Sequence, residues 1–375
     1  MRVCINGIAE NKGIRGPIRY IYELVDHINE GEFTIFLLAG EWQRDIYREL
    51  ENKVNVIYVD IKTGKVARAL YLMFFVQKLL KKLEIDVYHL PDTNPLPVIR
   101  KNIHIVSTIH DCAEYVVPNR FSFIQSLYRR LISRYQAKHS DLIITVSNSS
   151  KNDIVKYHGV AEEKVKVIYN GVSILKQGDR GEISSDGAAI SKPQKYILYV
   201  GVIEKAKNVE LLVKSYAELP EELRSEVALV LVGRKGNAYD EVVATIEKKC
   251  LQLNVVIHGY LSDKQLAQIY KNALIFAYVS EYEGFGLPVL ESMALGIPVL
   301  TSNKSSMKEI AENAAILAET NVDDIRTKMQ KLLVSEKLRK ECINSGFNLI
   351  KKFDWKKTSI ETCGVYRSLR DTNLL

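Results

Sequence analysis

Two carboxylates, Glu283 and Glu291, flank a glycine loop in the segment AYVSEYEGFGLPVLESM, residues 277–293. An apolar run that reads as a strand ends near Tyr278, and Gly284 and Gly286 follow. Pro288 stands where a first helical residue is expected, and its missing N–H costs nothing there. A glycine-rich loop opening a helix is an anion site. Free backbone N–H groups and the positive end of the helix dipole face the ligand, and glycines admit a phosphate closely. Carboxylates repel phosphate. Glu283, and Glu291 in the expected first helical turn, are therefore suited to accept hydrogen bonds from sugar hydroxyls. A plainer reading stands beside this one, because short motifs match by chance: Glu291 balances the helix dipole and Glu283 is a solvated loop charge.

The elements that must hold this loop are legible as short apolar, β-branched runs separated by helical patterns. Seven strands are expected near Arg2–Asn6, Phe33–Ala39, Val54–Tyr58, Val87–His89, Ile105–Thr108, Leu142–Val146 and Val165–Ile168. Six more are expected near Tyr196–Val200, Val227–Val232, Val255–Ile257, Leu274–Tyr278, Pro298–Thr301 and Ala315–Leu317. Near-continuous apolar runs, rather than alternating ones, indicate strands covered on both faces, as in a parallel α/β sheet. The Gly- and Ser-rich stretch 176–194 is the best linker between two α/β domains of similar size. The tail FDWKKTSIETCGVYRSLR reads as an amphipathic helix carrying Trp355, Ile360, Val365, Tyr366 and Leu369.

The chain has 375 residues, 47% of them apolar and 26% charged, which suits two large buried cores. Five scattered cysteines without a CxxC argue against a disulfide framework or a zinc site, and each reads as a small buried apolar residue in a reducing compartment. The start MRVCINGIAEN reads as a first strand, not a signal peptide, and no apolar run reaches the roughly 20 residues of a membrane span. A net charge of +7 allows attraction to phosphates or anionic lipid without implying nucleic acid.

The segment EGFGLPVLESMALGIPV, Glu283 to Val299, resembles the signature of the family 4 retaining glycosyltransferases, two carboxylates separated by seven residues. LYVGVIEKAKNVELLVKSY from Leu198, LVGRKG (231–236), VIHGYLSDKQLAQIYKNA (256–273), STIHD (107–111), ITVSNSSKNDI (144–154) and VIYNGV, whose Ile168 to Val172 carry the likeness, are similar to further family segments in the same order, so the resemblance covers nearly the whole chain. It implies an α/β chain of the GT-B fold, two Rossmann-like domains whose parallel sheets face across a cleft. Residues 1–175 would bind the acceptor, 195–352 the donor, and 353–375 would form a helix crossing back to the first domain.

The resemblance implies roles for individual residues. Glu291 binds the ribose, and Glu283 contacts the transferred sugar, with backbone groups of Phe285, Gly286 and Leu287 around sugar and phosphates. Lys207 follows Gly201 at the family's spacing and becomes a diphosphate ligand, where a cation stabilises the departing nucleotide. His110, at a strand's carboxyl end, lies near the donor sugar. Asp111 fixes local structure or lines the acceptor site. The base is read by backbone near His258–Leu261, including Tyr260 and Leu261. Val202 stands where the family often carries Arg, which leaves Lys205, a first-domain residue or, more weakly, Arg234 or Lys235 to compensate. The first loop, with Gly7, Gly13 and Gly16 before Arg19-Tyr20, approaches phosphates or acceptor, although Pro17 and Ile18 replace a common glycine.

The implied reaction moves a sugar from a nucleotide-diphosphate donor to a hydroxyl of a glycan or lipid-linked acceptor, with retention, in cell-surface polysaccharide or glycolipid synthesis. The helix start and Lys207 do the work of a metal, so no metal or other cofactor is expected. A cytoplasmic setting, at the inner face of a membrane, follows. Residues 66–83, VARALYLMFFVQKLLKKL, read first as a buried helix with a basic end and second as a membrane-surface helix, to which Arg129-Arg130 add. Three other classes stay in view. A sugar-nucleotide epimerase lacks the matching signature. A phosphorylase-like enzyme wants a cofactor lysine and a longer chain. A non-catalytic nucleotide-sugar-binding subunit is kept open by Val202.

Overall fold

A computed structural model describes residues 1–9, 16–28, 31–61, 64–97, 102–118, 120–173 and 195–371. The stretch 176–194, read as a linker, lies outside the described residues, as does Gly13. The chain divides into two compact units, Met1–Gly171 with Phe353–Leu375, and Val172–Lys352.

All thirteen expected strands form, each within one residue of its expected ends. In the first unit they are β1 (Arg2–Asn6), β2 (Thr34–Gly40), β3 (Asn55–Val59), β4 (Val87–Leu90), β5 (His104–Thr108), β6 (Leu142–Thr145) and β7 (Val165–Val167). They pair in parallel in the order β3-β2-β1-β4-β5-β6-β7. The chain thus winds one way from β1 and then the other way from β4. Side-chain alternation assigns the two faces. Val3, Ile5, Leu37, Val87, Val106 and Ile144 pack under helix Pro17–His27 and the C-terminal helix Trp355–Asp371. Cys4, Phe36, Leu38, Tyr88 and Ile105 pack under Leu72, Val76 and Leu80, and Ile143 packs with Ala137 of helix Phe123–His139.

The C-terminal helix is held by bonds made at its start. Thr358 Oγ1 donates to the Tyr169 carbonyl at 2.7 Å and Ser359 Oγ to that of His27 at 2.9 Å. A Cβ on Gly171 would lie 2.2 Å from the Trp355 backbone nitrogen, so glycine is required at that crossing. Trp355, Val365, Tyr366 and Leu369 are buried as the pattern indicates, but Ile360 faces outward, 45% exposed. Cys250 is the exception among the cysteines: it is exposed, in a left-handed turn with φ 53°.

Beneath this helix runs a polar chain through an otherwise apolar core. The Tyr366 hydroxyl lies 2.7 Å from His89 Nδ1, and His89 Nε2 lies 2.8 Å from Thr108 Oγ1, which is 3.2 Å from the Tyr20 hydroxyl. Burial, with the neighbouring His110 adding to it, holds the His89 imidazole down at about 3. A histidine whose folded pKa lies below its unfolded value contributes stability above the unfolded value and loses it as pH falls toward the folded one. Stability of the first unit should therefore decline as pH falls from about 6.5 toward 3, at up to about 1.4 kcal/mol per pH unit. The check is a urea midpoint series with an NMR titration of the ring. A His89 ring that titrates near its ordinary value overturns the account.

The second unit holds β8 (Lys195–Val200), β9 (Val227–Val232), β10 (Val255–His258), β11 (Ala273–Tyr278), β12 (Val299–Ser302) and β13 (Ile316–Ala318). All are parallel, in the order β10-β9-β8-β11-β12-β13. The winding reverses between β8 and β11. In open α/β sheets ligands collect at this point, outside the carboxyl ends of the strands.

Candidate functional site

The loops leaving β8 and β11 meet at that reversal. After β8 the chain passes Gly201 and Val202 into a 3₁₀ turn, Lys205–Lys207. Asn208, in the left-handed region at φ 52°, then starts helix Val209–Ala217. This turn is pinned to the segment after β11. The Ala206 carbonyl accepts from the Glu281 N–H at 2.8 Å and from Ser280 Oγ at 3.0 Å, and Asn208 Nδ2 donates to the Val279 carbonyl at 3.0 Å. These bonds place Lys207 opposite Glu283.

Between the two stands Tyr278, the last residue of β11. Lys207 Nζ donates to its hydroxyl at 2.7 Å, and the hydroxyl donates to Glu283 Oε1 at 2.7 Å. Lys207 Nζ and Glu283 Oε1 are themselves 3.4 Å apart, and Ser280 Oγ donates to the same carboxylate oxygen at 3.1 Å. The Tyr278 ring stacks on Tyr199 with centroids 5.6 Å apart. Burial, reinforced by the Glu283 carboxylate, pushes the Tyr278 phenol well above its ordinary value, so it remains a neutral donor. Burial works against the Lys207 cation, but Glu283, Tyr199 and Glu204 outweigh it and leave the ammonium above its ordinary value. The site therefore keeps Lys207 a charged ammonium at neutral pH, 3.4 Å from the Glu283 carboxyl group.

The glycine loop and its helix complete the arrangement. Gly286, at φ 105°, immediately precedes helix Leu287–Ala294. A side chain there would be strained by the backbone conformation. The helix begins one residue before Pro288, so Pro288 is its second residue, still among the four whose N–H has no intrahelical partner. This shift moves Glu291 out of the first turn, which contains no acidic residue, and into the second. The reading of Glu291 as a dipole partner is thereby removed, since that effect fades within one turn. Glu291 is instead buried, 7% exposed, in the helix that follows the loop. The Glu283 N–H donates to Ser305 Oγ at 3.1 Å, and Ser306 Oγ donates to the carbonyls of Glu283 and Phe285 at 2.8 and 3.0 Å. These contacts fix the loop from the side of β12.

Lys205 Nζ pairs with Glu241 Oε1 at 2.5 Å and is turned away from the Lys207–Glu283 group. Arg234 is exposed, Tyr260 is 62% exposed and Leu261 is half-buried.

Gly233, which follows β9, was not singled out within LVGRKG. A Cβ there would sit 1.8 Å from the Gly201 carbonyl oxygen. Gly233→Ala must push the β8 and β9 loops away from each other, so a loss of about 2–4 kcal/mol is expected, read from the urea midpoint. Tyr278 and Ser280 were also missed as site residues. Their place at a strand's carboxyl end was the available signal, whereas nothing in the sequence links Ser305 or Ser306 to the loop.

In the first unit, His110 Nε2 lies 2.9 Å from the Pro91 carbonyl, just beyond β4. The His110 carbonyl accepts from Ser150 Oγ at 3.0 Å, and the Tyr20 ring meets the imidazole edge-on at 4.9 Å. Asp111 Oδ1 accepts the Ala113 N–H at 2.9 Å, which gives it a local structural role. Gly16, exposed at φ 56°, caps helix Pro17–His27, and Pro17 is the first helical residue and does not belong to a stiffened loop.

Comparison with known proteins matches this anatomy. Residues 182–349 match the family model "Glycosyl transferases group 1", and residues 14–174 match "Glycosyltransferase Family 4". O-antigen chain mannosyltransferase B of Escherichia coli is 30% identical over 280 residues, 70% of each chain. Serotype-specific mannosyltransferase WbdA, also of E. coli, is 30% identical over 228 residues, 59% of this chain but 28% of that longer protein. The solved structure of Anabaena Alr3699/HepE in complex with UDP and glucose superposes with a TM-score of 0.73 at 17% identity, covering 98% of this chain and 100% of that one, a likeness of fold. With the matched signature on a helix start at the sheet's reversal, the chain belongs to the group 1, family 4 glycosyltransferases and has their two-domain GT-B fold.

Proposed function

We propose that this glycosyltransferase moves a hexosyl group from a nucleotide-diphosphate donor to a hydroxyl of a glycan or lipid-linked acceptor, with retained configuration and without a metal, in the synthesis of cell-surface polysaccharide or glycolipid. The observation that carries the proposal is the Lys207–Tyr278–Glu283 group beside the helix start at Leu287. The helix N–H groups and Lys207 offer positive charge to a diphosphate, and that charge gains value as the leaving oxygens become more negative. Glu283 and Glu291 offer acceptors to sugar and ribose hydroxyls, with backbone of Phe285, Gly286 and Leu287 around them. In the same reading His110 serves the donor sugar, Asp111 lines the acceptor site, and Tyr260 and Leu261 meet the base. The mannosyltransferase relatives and the UDP-bound neighbour set the order of donors to try. Action at the inner face of a membrane, with peripheral contact through 66–83, belongs to the same proposal.

The test incubates the protein with GDP- and UDP-linked hexoses, then ADP-linked ones, and follows nucleotide diphosphate release with and without chelator. Turnover that survives chelation supports the reading, and the anomeric form of the product reports retention. Thermal stabilisation without turnover for any donor leaves a binding subunit instead. Absence of both turnover and stabilisation with every donor refutes the donor site.

A further inference from the structure

Helix Phe123–His139 is built inside out. Its buried residues are Ser133, Gln136 and Ala137. Gln136 is held by polar partners: its Nε2 donates to the Asp92 carbonyl and to Ser107 Oγ, each at 3.0 Å, and its Oε1 accepts the Asn94 N–H at 3.1 Å. The large apolar residues point the other way. Phe123 is 83% exposed, Ile124 79%, Leu131 61%, Tyr128 53%, Leu127 50% and Tyr135 46%. At about 100° per residue these six fall within an arc of about 140°, centred nearly opposite the buried side. A monomer in water gains nothing from such a face.

A second element on the same face of the sheet repeats the pattern. Residues 66–82 are not the single buried helix expected from sequence, because Tyr71–Phe75 form a π-helical turn between two α-helical stretches. Leu72, Val76 and Leu80 pack on the sheet, while Val66, Leu70, Phe74 and Phe75 remain 45–73% exposed. Both elements pack on the side of the sheet away from the C-terminal helix. Residues 66–82 carry four basic residues and 123–139 carry four more, with no acidic residue in either, against a net charge of +7 for the whole chain. Arg134 and Lys138, both exposed, lie within the angular range of this arc, in the last turns of its helix.

We infer that helix Phe123–His139 is an in-plane anchor that inserts its apolar arc into the surface of an anionic phospholipid bilayer, with 66–82 as an accessory contact. An apolar arc that carries basic groups at its C-terminal end, on a helix free of carboxylates, is complementary to acyl chains beneath anionic headgroups. A second copy of this chain fits poorly, since a two-fold contact would set the same basic groups against each other. The inference rests on the membrane contact proposed above and moves its centre from 66–83 to 123–139. It uses no feature of the donor site.

The test floats the full chain with phosphatidylcholine vesicles and with vesicles in which phosphatidylglycerol replaces some of that lipid. Binding is expected to the anionic vesicles and to weaken as salt rises. Leu127→Glu with Leu131→Glu should lower the bound fraction at least about tenfold with an unchanged melting temperature, because both side chains face outward. Arg134→Glu with Lys138→Glu should lower anionic-vesicle binding by a similar factor. No binding to anionic vesicles overturns the inference, as does equal binding by the leucine variant. A concentration-dependent dimer abolished by the leucine pair would assign the face to a second copy. Donor turnover measured in parallel separates the two readings: a parent chain that turns over donor but does not bind anionic vesicles rejects the anchor and leaves glycosyl transfer standing.

Discussion

Glu283→Gln is expected to lower kcat by about 10²–10³-fold while the fold persists. The substitution is nearly isosteric, so the loop conformation held by Ser305 and Ser306 survives it. What changes is charge. Oε1 of Glu283 now accepts from Tyr278 and Ser280 and neutralises Lys207 at 3.4 Å. An amide oxygen accepts more weakly and leaves Lys207 without its nearest counter-charge. Burial, which already opposes that cation, then meets only Tyr199 and Glu204 and lowers its affinity for protons relative to the parent. Two contributions to the transition state fall together: the carboxylate that receives a sugar hydroxyl and the cation that faces the departing diphosphate. A loss located in kcat more than in KM is the signature of interactions that strengthen in the transition state. Steady-state nucleotide diphosphate release, with circular dichroism to confirm folding, measures it. A kcat within a few-fold of the parent removes Glu283 from the chemistry.

The sheets were readable because parallel strands buried on both faces spell themselves as apolar runs, from VCI in β1 to VLT in β12. The helix start was readable because glycine and proline punctuate it, although its register slipped by one residue and carried Glu291 into the second turn. What stayed hidden were contacts made across elements. Nothing in the spacing of Tyr278 says that its hydroxyl bridges Lys207 and Glu283, since those three groups are joined by the register of β8 against β11. Lys205 was a candidate to compensate for Val202, and nothing in the spacing says that the turn geometry sends it to Glu241. The helix 123–139 drew no reading beyond Arg129-Arg130, and which of its sides is buried, that of Ser133, Gln136 and Ala137, is decided by polar partners on other elements.

Lys207→Met should abolish turnover as fully as Glu283→Gln, and the two together should be more stable than the sum of the single losses allows. The single lysine variant leaves a carboxylate with Tyr278 and Ser280 as donors but no cation. The single glutamate variant leaves a largely buried ammonium whose remaining partner is a neutral phenol. Breaking one side of a buried ion pair costs about 3 kcal/mol, much of it from the charge left behind. Removing both charges removes that residual cost, so urea midpoints should give a coupling of about 1.5–3 kcal/mol between the positions. Activity should show no such recovery, because a methionine beside an amide offers nothing to a diphosphate or a sugar hydroxyl. Stability restored without turnover separates the two duties of the pair, holding the loop and meeting the donor. Strictly additive stability losses would instead mean that Tyr278 insulates the lysine from the carboxylate, and the 3.4 Å approach would then carry no energetic coupling.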